Sequence, residues 1–212
     1  SIDGIVWMTC CALTKVRGTF SIPTQQLNHL TTQLKTMSFL NIEIKARCFD
    51  LGMIKNILKQ RNALFKGEDH QIDTYFNCQN GRLKLREGNI ERHLIHYQRA
   101  DAIGPKKSIV TLYQPEPNSS LKQILSDSLG ILTIVDKKRE IYFIENVKFH
   151  IDQVIGLGSF VEIEAIDFSG TIGEEKLRLQ CEEYINLFRI NANDLIDCSY
   201  SDLLLQNNKK SF

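Results

Sequence analysis

No acidic residue occurs between Asp3 and Glu43, a gap that sets the first part of the chain apart from everything after it. Charge of either sign is nowhere in excess: the formal net charge is +1 over 212 residues, so attraction of polyanions through bulk charge is excluded and a basic site must come from local placement of Lys and Arg. Nucleic acid is therefore not an expected partner. The six cysteines, Cys10, Cys11, Cys48, Cys78, Cys181 and Cys198, have no CxxC or Cys/His spacing, which excludes a structural zinc site and reads as reduced thiols of an intracellular chain. No apolar run reaches the length of a membrane span, so no membrane partner is expected. Internal repeats and low-complexity stretches are missing too, and 42% hydrophobic with 24% charged content suits one globular domain with a real core.

What is there begins with Phe39–Arg47. Leu40, Ile42, Ile44 and Ala46 alternate with Asn41, Glu43, Lys45 and Arg47, a strict period of two that marks a strand with two unlike faces. Taken alone, such a strand has an ordinary solvated side. The pattern recurs, however, in Arg82, Lys84 and Arg86 alternating with Leu83 and Leu85, and in Glu162 and Glu164 alternating with Val161, Ile163 and Ala165. Like charges two residues apart repel, so a face that gathers them reads as a site.

Residues 1–36 carry an apolar run from Ile5 to Leu13 with Lys15 and Arg17 after it, the wrong order for a secretory signal. They read as a leader or extension outside the fold; a mitochondrial transit peptide is the other reading, and would change an otherwise cytoplasmic assignment. Residues 37–212 then form the domain. Asp50 is placed to cap a helix with Leu51, Ile54, Ile57 and Leu58 on one stripe. His70–Asn77 reads as a strand, Asn80-Gly81 as the turn of a hairpin, and His93–Arg99 and Ser108–Tyr113 as further strands. Asn118 or Ser119 is expected to cap a helix ending at Gly130 whose Leu121, Ile124, Leu125 and Leu129 face inward. Strands resume over Ile131–Glu140, Ile141–His150 and Phe160–Phe168, and helical periodicity closes the chain over about Glu174–Arg189 and Asp194–Gln206. The expected class is α+β: a closed, antiparallel, eight-stranded barrel with helices outside.

Closure turns one face of every strand into an interior. That interior is expected to hold eight bases, Lys45, Arg47, Arg82, Lys84, Arg86, Arg99, Lys137 and Arg139, against four acids, Glu43, Asp152, Glu162 and Glu164. A surplus of buried base calls for an anion, and Arg and Lys spaced along a groove suit a chain of phosphates. The clustered carboxylates suit Mg²⁺ or Mn²⁺, hard cations that also bridge phosphate oxygens. Singly, each feature has a plainer explanation: Glu162 and Glu164 as solvated strand residues, His150 as a structural histidine, Tyr97 as core packing.

The motifs Asn41-Ile-Glu-Ile-Lys45, Asp73-Thr-Tyr-Phe76, Gly81-Arg-Leu-Lys-Leu-Arg-Glu87, Leu94-Ile-His-Tyr-Gln-Arg99, Lys137-Lys-Arg139 and His150-Ile-Asp152 through Gly158-Ser-Phe-Val-Glu-Ile-Glu164 resemble, in that order, the CYTH domain of the triphosphate tunnel metalloenzyme superfamily. The likeness is strongest to the branch described as class IV adenylyl cyclases. The resemblance implies an eight-stranded tunnel, with Glu43, Glu162 and Glu164 holding metal and Lys45, Arg82, Lys84, Arg86, Arg99 and Arg139 gripping phosphate. Lys45 joins the three glutamates in the catalytic set. The family's first strand carries Glu-x-Glu-x-Lys, and here Asn41 stands in place of the first glutamate. The expected function is metal-dependent hydrolysis of an inorganic, nucleoside or thiamine triphosphate. Cyclisation of ATP to cyclic AMP and non-catalytic binding of polyphosphate or nucleotide are the alternatives, and a homodimer is left open.

Overall fold

In the computed structural model, residues 39–99 and 104–210 are described, so the expectation for residues 1–36 lies outside them. Eight strands are found there: β1 Phe39–Arg47, β2 Leu64–Phe76, β3 Arg82–Glu87, β4 Arg92–Arg99, β5 Lys106–Tyr113, β6 Ile131–Ile144, β7 Val147–Val154 and β8 Gly158–Asp167. They close in the order β1-β5-β4-β3-β2-β6-β7-β8, every pair antiparallel. Four helices accompany them, α1 Leu51–Gln60, α2 Leu121–Leu129, α3 Glu174–Leu187 and α4 Tyr200–Lys210. None of the described helices is long and apolar enough to cross a membrane.

The alternation in β1 separates two interiors rather than core from water. Its outward residues Ile42, Ile44 and Ala46 are at most 1% exposed, because α1 and α3 lie over them. Ile54 and Leu58 of α1 and Leu177, Cys181 and Tyr184 of α3, with Phe188, pack on these and on Phe149, Ile151, Val161, Ile163 and Ala165. The apolar core thus sits between barrel and helices, and each large side chain buried there contributes about 1.5–3 kcal/mol. The polar residues of β1 face the lumen instead.

Asp50 does cap α1, its Oδ1 accepting from the Met53 amide at 2.9 Å. For α2 the expectation fails: Ser120 is the cap, without a side-chain bond, and no residue of the helix is buried. Asn118 adopts a left-handed conformation with φ 59°, which suits a turn rather than an N-cap. Ile124 is 55% exposed, since the helix rests only lightly on β2. The break expected after Glu140 is also absent: β6 runs unbroken to Ile144, and the turn falls at Glu145 and Asn146, with Glu145 at φ 50°. β2 starts at Leu64, six residues before the expected start, across a bulge at Gly67.

The end of the barrel nearest Tyr75, Val135, Val154 and Phe160 is closed by Tyr200 from the first turn of α4, with Leu203 and Leu204 packed on the cluster. Ser199 and Asp202 cap one another reciprocally, the Ser199 amide donating to Asp202 Oδ2 at 3.0 Å and the Asp202 amide to Ser199 Oγ at 3.2 Å. A cavity of about 780 Å³ lies at this end, beside Arg82, Leu129 and Asp202.

Candidate functional site

Register decides which charged groups meet. Across β1 and β8, Glu43 lies opposite Glu164 and Lys45 opposite Glu162; across β7 and β8, Lys148 lies opposite Glu164 and His150 opposite Glu162. Arg139 faces Asp152 between β6 and β7, and Asp73 faces Arg86 between β2 and β3. Directly opposed residues on antiparallel strands share a face, so these pairs line one lumen.

Two carboxylates organise the bases. Asp73, 1% exposed, accepts from Arg86 Nε at 2.8 Å and Nη2 at 3.0 Å, from Lys84 at 2.9 Å and from Lys137 at 2.8 Å. Burial opposes its charge, but Arg86, Lys137 and Lys84 outweigh that and hold the carboxyl well below the usual carboxylate range. Burial pulls the Lys137 ammonium down to about 7, against the attraction of Asp73. Asp152, fully buried, takes a two-point contact from Arg139 at 2.7 and 2.5 Å and the Tyr200 hydroxyl at 2.8 Å.

Glu162 connects the second group. It accepts from Arg139 at 2.7 Å, meets His150 Nδ1 at 3.0 Å and lies 3.1 Å from Lys45, whose ammonium stands 4.1 Å over the Tyr200 ring. Arg139 and Lys45 keep the Glu162 carboxyl ionised well below its ordinary range in spite of its burial. His150 is driven downward first by burial and then by Arg139, which favours the neutral ring. Ligand atoms of His150, Glu162 and Glu164 all lie within 4.8 Å of one another, a grouping that could hold a metal ion. Two atoms nearby have no hydrogen-bond partner although buried, His150 Nε2 and Asn41 Oδ1. An orphaned buried acceptor costs about 1–3 kcal/mol, so both point to something that completes the site.

The structure brings together Lys45, Glu43, Glu162, Glu164, Lys84, Arg86, Lys137 and Arg139 along the lumen. Asp152 lines the same wall but lies with Arg139 and Tyr200 rather than in the His150 group. Arg47 sits at the closed end, bonding the Leu157 carbonyl at 3.3 Å beside the Phe160 ring. Arg82 is tied to Asp202 at 2.8 Å. Arg99 lies opposite Ser108 by register, and its side chain is outside the described residues.

The surplus of base expected from the sequence does not hold. Asp73 was not among the acids expected inside, and Glu91 enters from the turn between β3 and β4, where no periodicity announces it. Glu91 meets Arg86 at 2.7 Å and Lys148 at 2.5 Å, so the bases are already paired and an incoming anion would exchange partners rather than fill a deficit. Lys148 and His150 share the inward parity of Asp152 on β7.

Comparison with known proteins agrees with this geometry. A Methanocaldococcus jannaschii protein provisionally named an adenylate cyclase is 26% identical over 177 residues, 77% of this chain and 98% of its own. A solved Pyrococcus horikoshii protein matches 77% of this chain and 98% of its own with a TM-score of 0.63 at 23% identity. A Hippeastrum protein, provisionally an adenylyl cyclase and described with a dominant triphosphatase activity, matches 81% of this chain and 96% of its own with a TM-score of 0.54 at 13% identity. The CYTH domain family matches residues 40–192, from β1 to the short turn after α3, and the chain belongs to that family.

Proposed function

We propose that this chain is a phosphohydrolase that cleaves a small-molecule triphosphate with the help of Mg²⁺ or Mn²⁺. The observation that carries the reading is the junction of two buried groups on one lumen: a His150–Glu162–Glu164 cluster with open donor atoms, next to a wall of Lys and Arg reaching inward from β1, β3 and β6. Carboxylate oxygens dominate that cluster, which fits a hard divalent cation, and Glu43 stands opposite Glu164 to add another. Such a cation, when bound, supplies positive charge to the phosphoryl group under attack. The description of the Hippeastrum protein as a triphosphatase supports the same reaction class.

The protein's own residues do the rest. Lys84, Arg86 and Lys137 are held pointing inward by Asp73, so their donors are oriented before a phosphate arrives. Arg139, held by Asp152 and Glu162, and Lys45, held by Glu162, continue the basic lining and stabilise charge that develops on the phosphate oxygens. Tyr200, Phe160 and Val135 close one end and exclude bulk water from it. Incubation with tripolyphosphate, ATP and thiamine triphosphate, with Mg²⁺ or Mn²⁺, followed by ³¹P NMR tests the proposal. Metal-dependent release of orthophosphate is expected. Cyclic AMP and pyrophosphate from ATP would replace hydrolysis with cyclisation, and no product with either metal overturns catalysis.

A further inference from the structure

Among the described residues, Glu91 is the one carboxylate of the lumen that does not come from a strand. The turn carrying it is built around Asp69, which is fully buried and accepts from three successive backbone amides: Asn89 at 2.5 Å, Ile90 at 2.9 Å and Glu91 at 2.9 Å. A side chain at Gly88 would meet the Asp69 carboxylate at 2.7 Å and the Glu91 carbonyl at 2.6 Å, so the turn admits only glycine there. The consequence is a fixed backbone that aims Glu91 into the lumen.

There its two oxygens bridge walls that are not neighbours. Oε2 takes Arg86 of β3 at 2.7 Å and Gln71 of β2 at 3.1 Å, while Oε1 takes Lys148 of β7 at 2.5 Å. In the barrel order β2 and β6 separate β3 from β7, so the carboxylate spans the lumen instead of pairing along a sheet. A group that is anionic, offers several oxygens and is held at once by an Arg and a Lys from opposite walls has the contacts of a phosphoryl group. Lys148 and Arg86 hold it ionised, well below the ordinary carboxylate range.

We propose that Glu91 holds the place of a phosphoryl group between Arg86 and Lys148, and that it thereby sets the smallest anion the lumen accepts. The inference rests on the triphosphate reading above. A tethered carboxylate competes at an effective concentration on the order of millimolar or more. An orthophosphate making only those contacts loses to it at ordinary concentrations, whereas a triphosphate recruits Lys84, Lys137, Lys45 and Arg139 as well and displaces it. The Glu91 side chain can swing outward while its backbone stays fixed by Asp69.

Isothermal titration at low salt with orthophosphate and tripolyphosphate tests this on the wild type, Glu91→Gln, Glu91→Ala and the double variant Glu91→Gln with Lys148→Met. Both single variants should bind tripolyphosphate about tenfold tighter than the wild type, the loss of one competing charge-assisted contact. Orthophosphate should bind them measurably and the wild type not at all. The double variant should lose orthophosphate again, which locates the ion at Lys148. Unchanged or weaker tripolyphosphate binding in both single variants overturns the role of Glu91 even where they melt lower, since a purely structural glutamate predicts that outcome. Tightening that survives Lys148→Met overturns the location. A wild type that binds no tripolyphosphate overturns the triphosphate reading, and this inference with it.

Discussion

Replacing Asp73 by Asn removes one charge from the centre of four hydrogen bonds and leaves three cations behind. Of these, the Lys137 side chain is 1% exposed, Arg86 9% and Lys84 13%, so little water can replace the lost carboxylate. Breaking a buried ion pair from one side costs about 3–5 kcal/mol. At this chain length that corresponds to a fall in Tm of roughly 6–20 °C. Lys137 limits the damage by giving up its proton, because its pKa, already about 7, falls further once Asp73 no longer attracts the ammonium. The sign of the pH dependence follows. A lysine whose folded pKa lies below its unfolded one binds fewer protons in the native state, so the stability of Asp73→Asn should rise with pH from about 7 towards the unfolded value near 10.4. On the acid side the wild type behaves oppositely: Asp73 is depressed when folded, so its contribution is present above about pH 4 and is lost as pH falls further. The variant lacks that part of the acid transition. Urea denaturation at a series of pH values measures both effects. A destabilisation under about 1 kcal/mol at pH 7, the range of exposed pairs, would refute the view of Asp73 as the charge that gathers this wall.

Four further outcomes separate metal binding from folding. Glu162→Gln should cost about 3–5 kcal/mol, because Lys45 and Arg139 lose a buried partner. Glu164→Gln, whose carboxylate lies a loose 3.8 Å from His150, should melt near the wild type without metal yet lose the stabilisation given by Mn²⁺, read by thermal denaturation with and without the ion. Asn41→Glu should tighten divalent-metal binding in calorimetry, since the Asn41 carbonyl oxygen is buried without a partner on the strand that bears Glu43. Tyr200→Phe should lose about 1–2 kcal/mol in urea denaturation, the hydroxyl being a buried donor to Asp152.

How much of this was legible in the sequence depends on periodicity. β1 was read to the residue, and the inward sets of β3, β6, β7 and β8 followed from parity alone, because a period of two survives whatever covers either face. Family motifs supplied the metal-binding roles proposed for Glu43, Glu162 and Glu164. Contributions from turns and ends were not legible. Glu91 has no periodic neighbours, and its entry into the lumen depends on three amides folding around Asp69. Asp73 was not counted among the inner acids, and its three partner residues come from β3 and β6, the strands that flank β2, a pairing that no local pattern announces. The apolar stripe of α2 misled because amphipathicity tells which face would be buried, not whether a partner lies beneath it. The reciprocal cap of Ser199 and Asp202 was there to be read, and it marks the start of the helix that carries Tyr200 into the barrel end.

The most direct measurement of the central claim is the melting temperature at low salt in a series of orthophosphate, pyrophosphate and tripolyphosphate. If the lumen is a triphosphate site, stabilisation should rise with the number of phosphates. Tripolyphosphate at a hundred times its Kd should contribute about 2.7 kcal/mol, which at this chain length is roughly 5–11 °C. The shift should shrink with added salt and in Arg86→Ala. A Tm indifferent to tripolyphosphate would contradict the account.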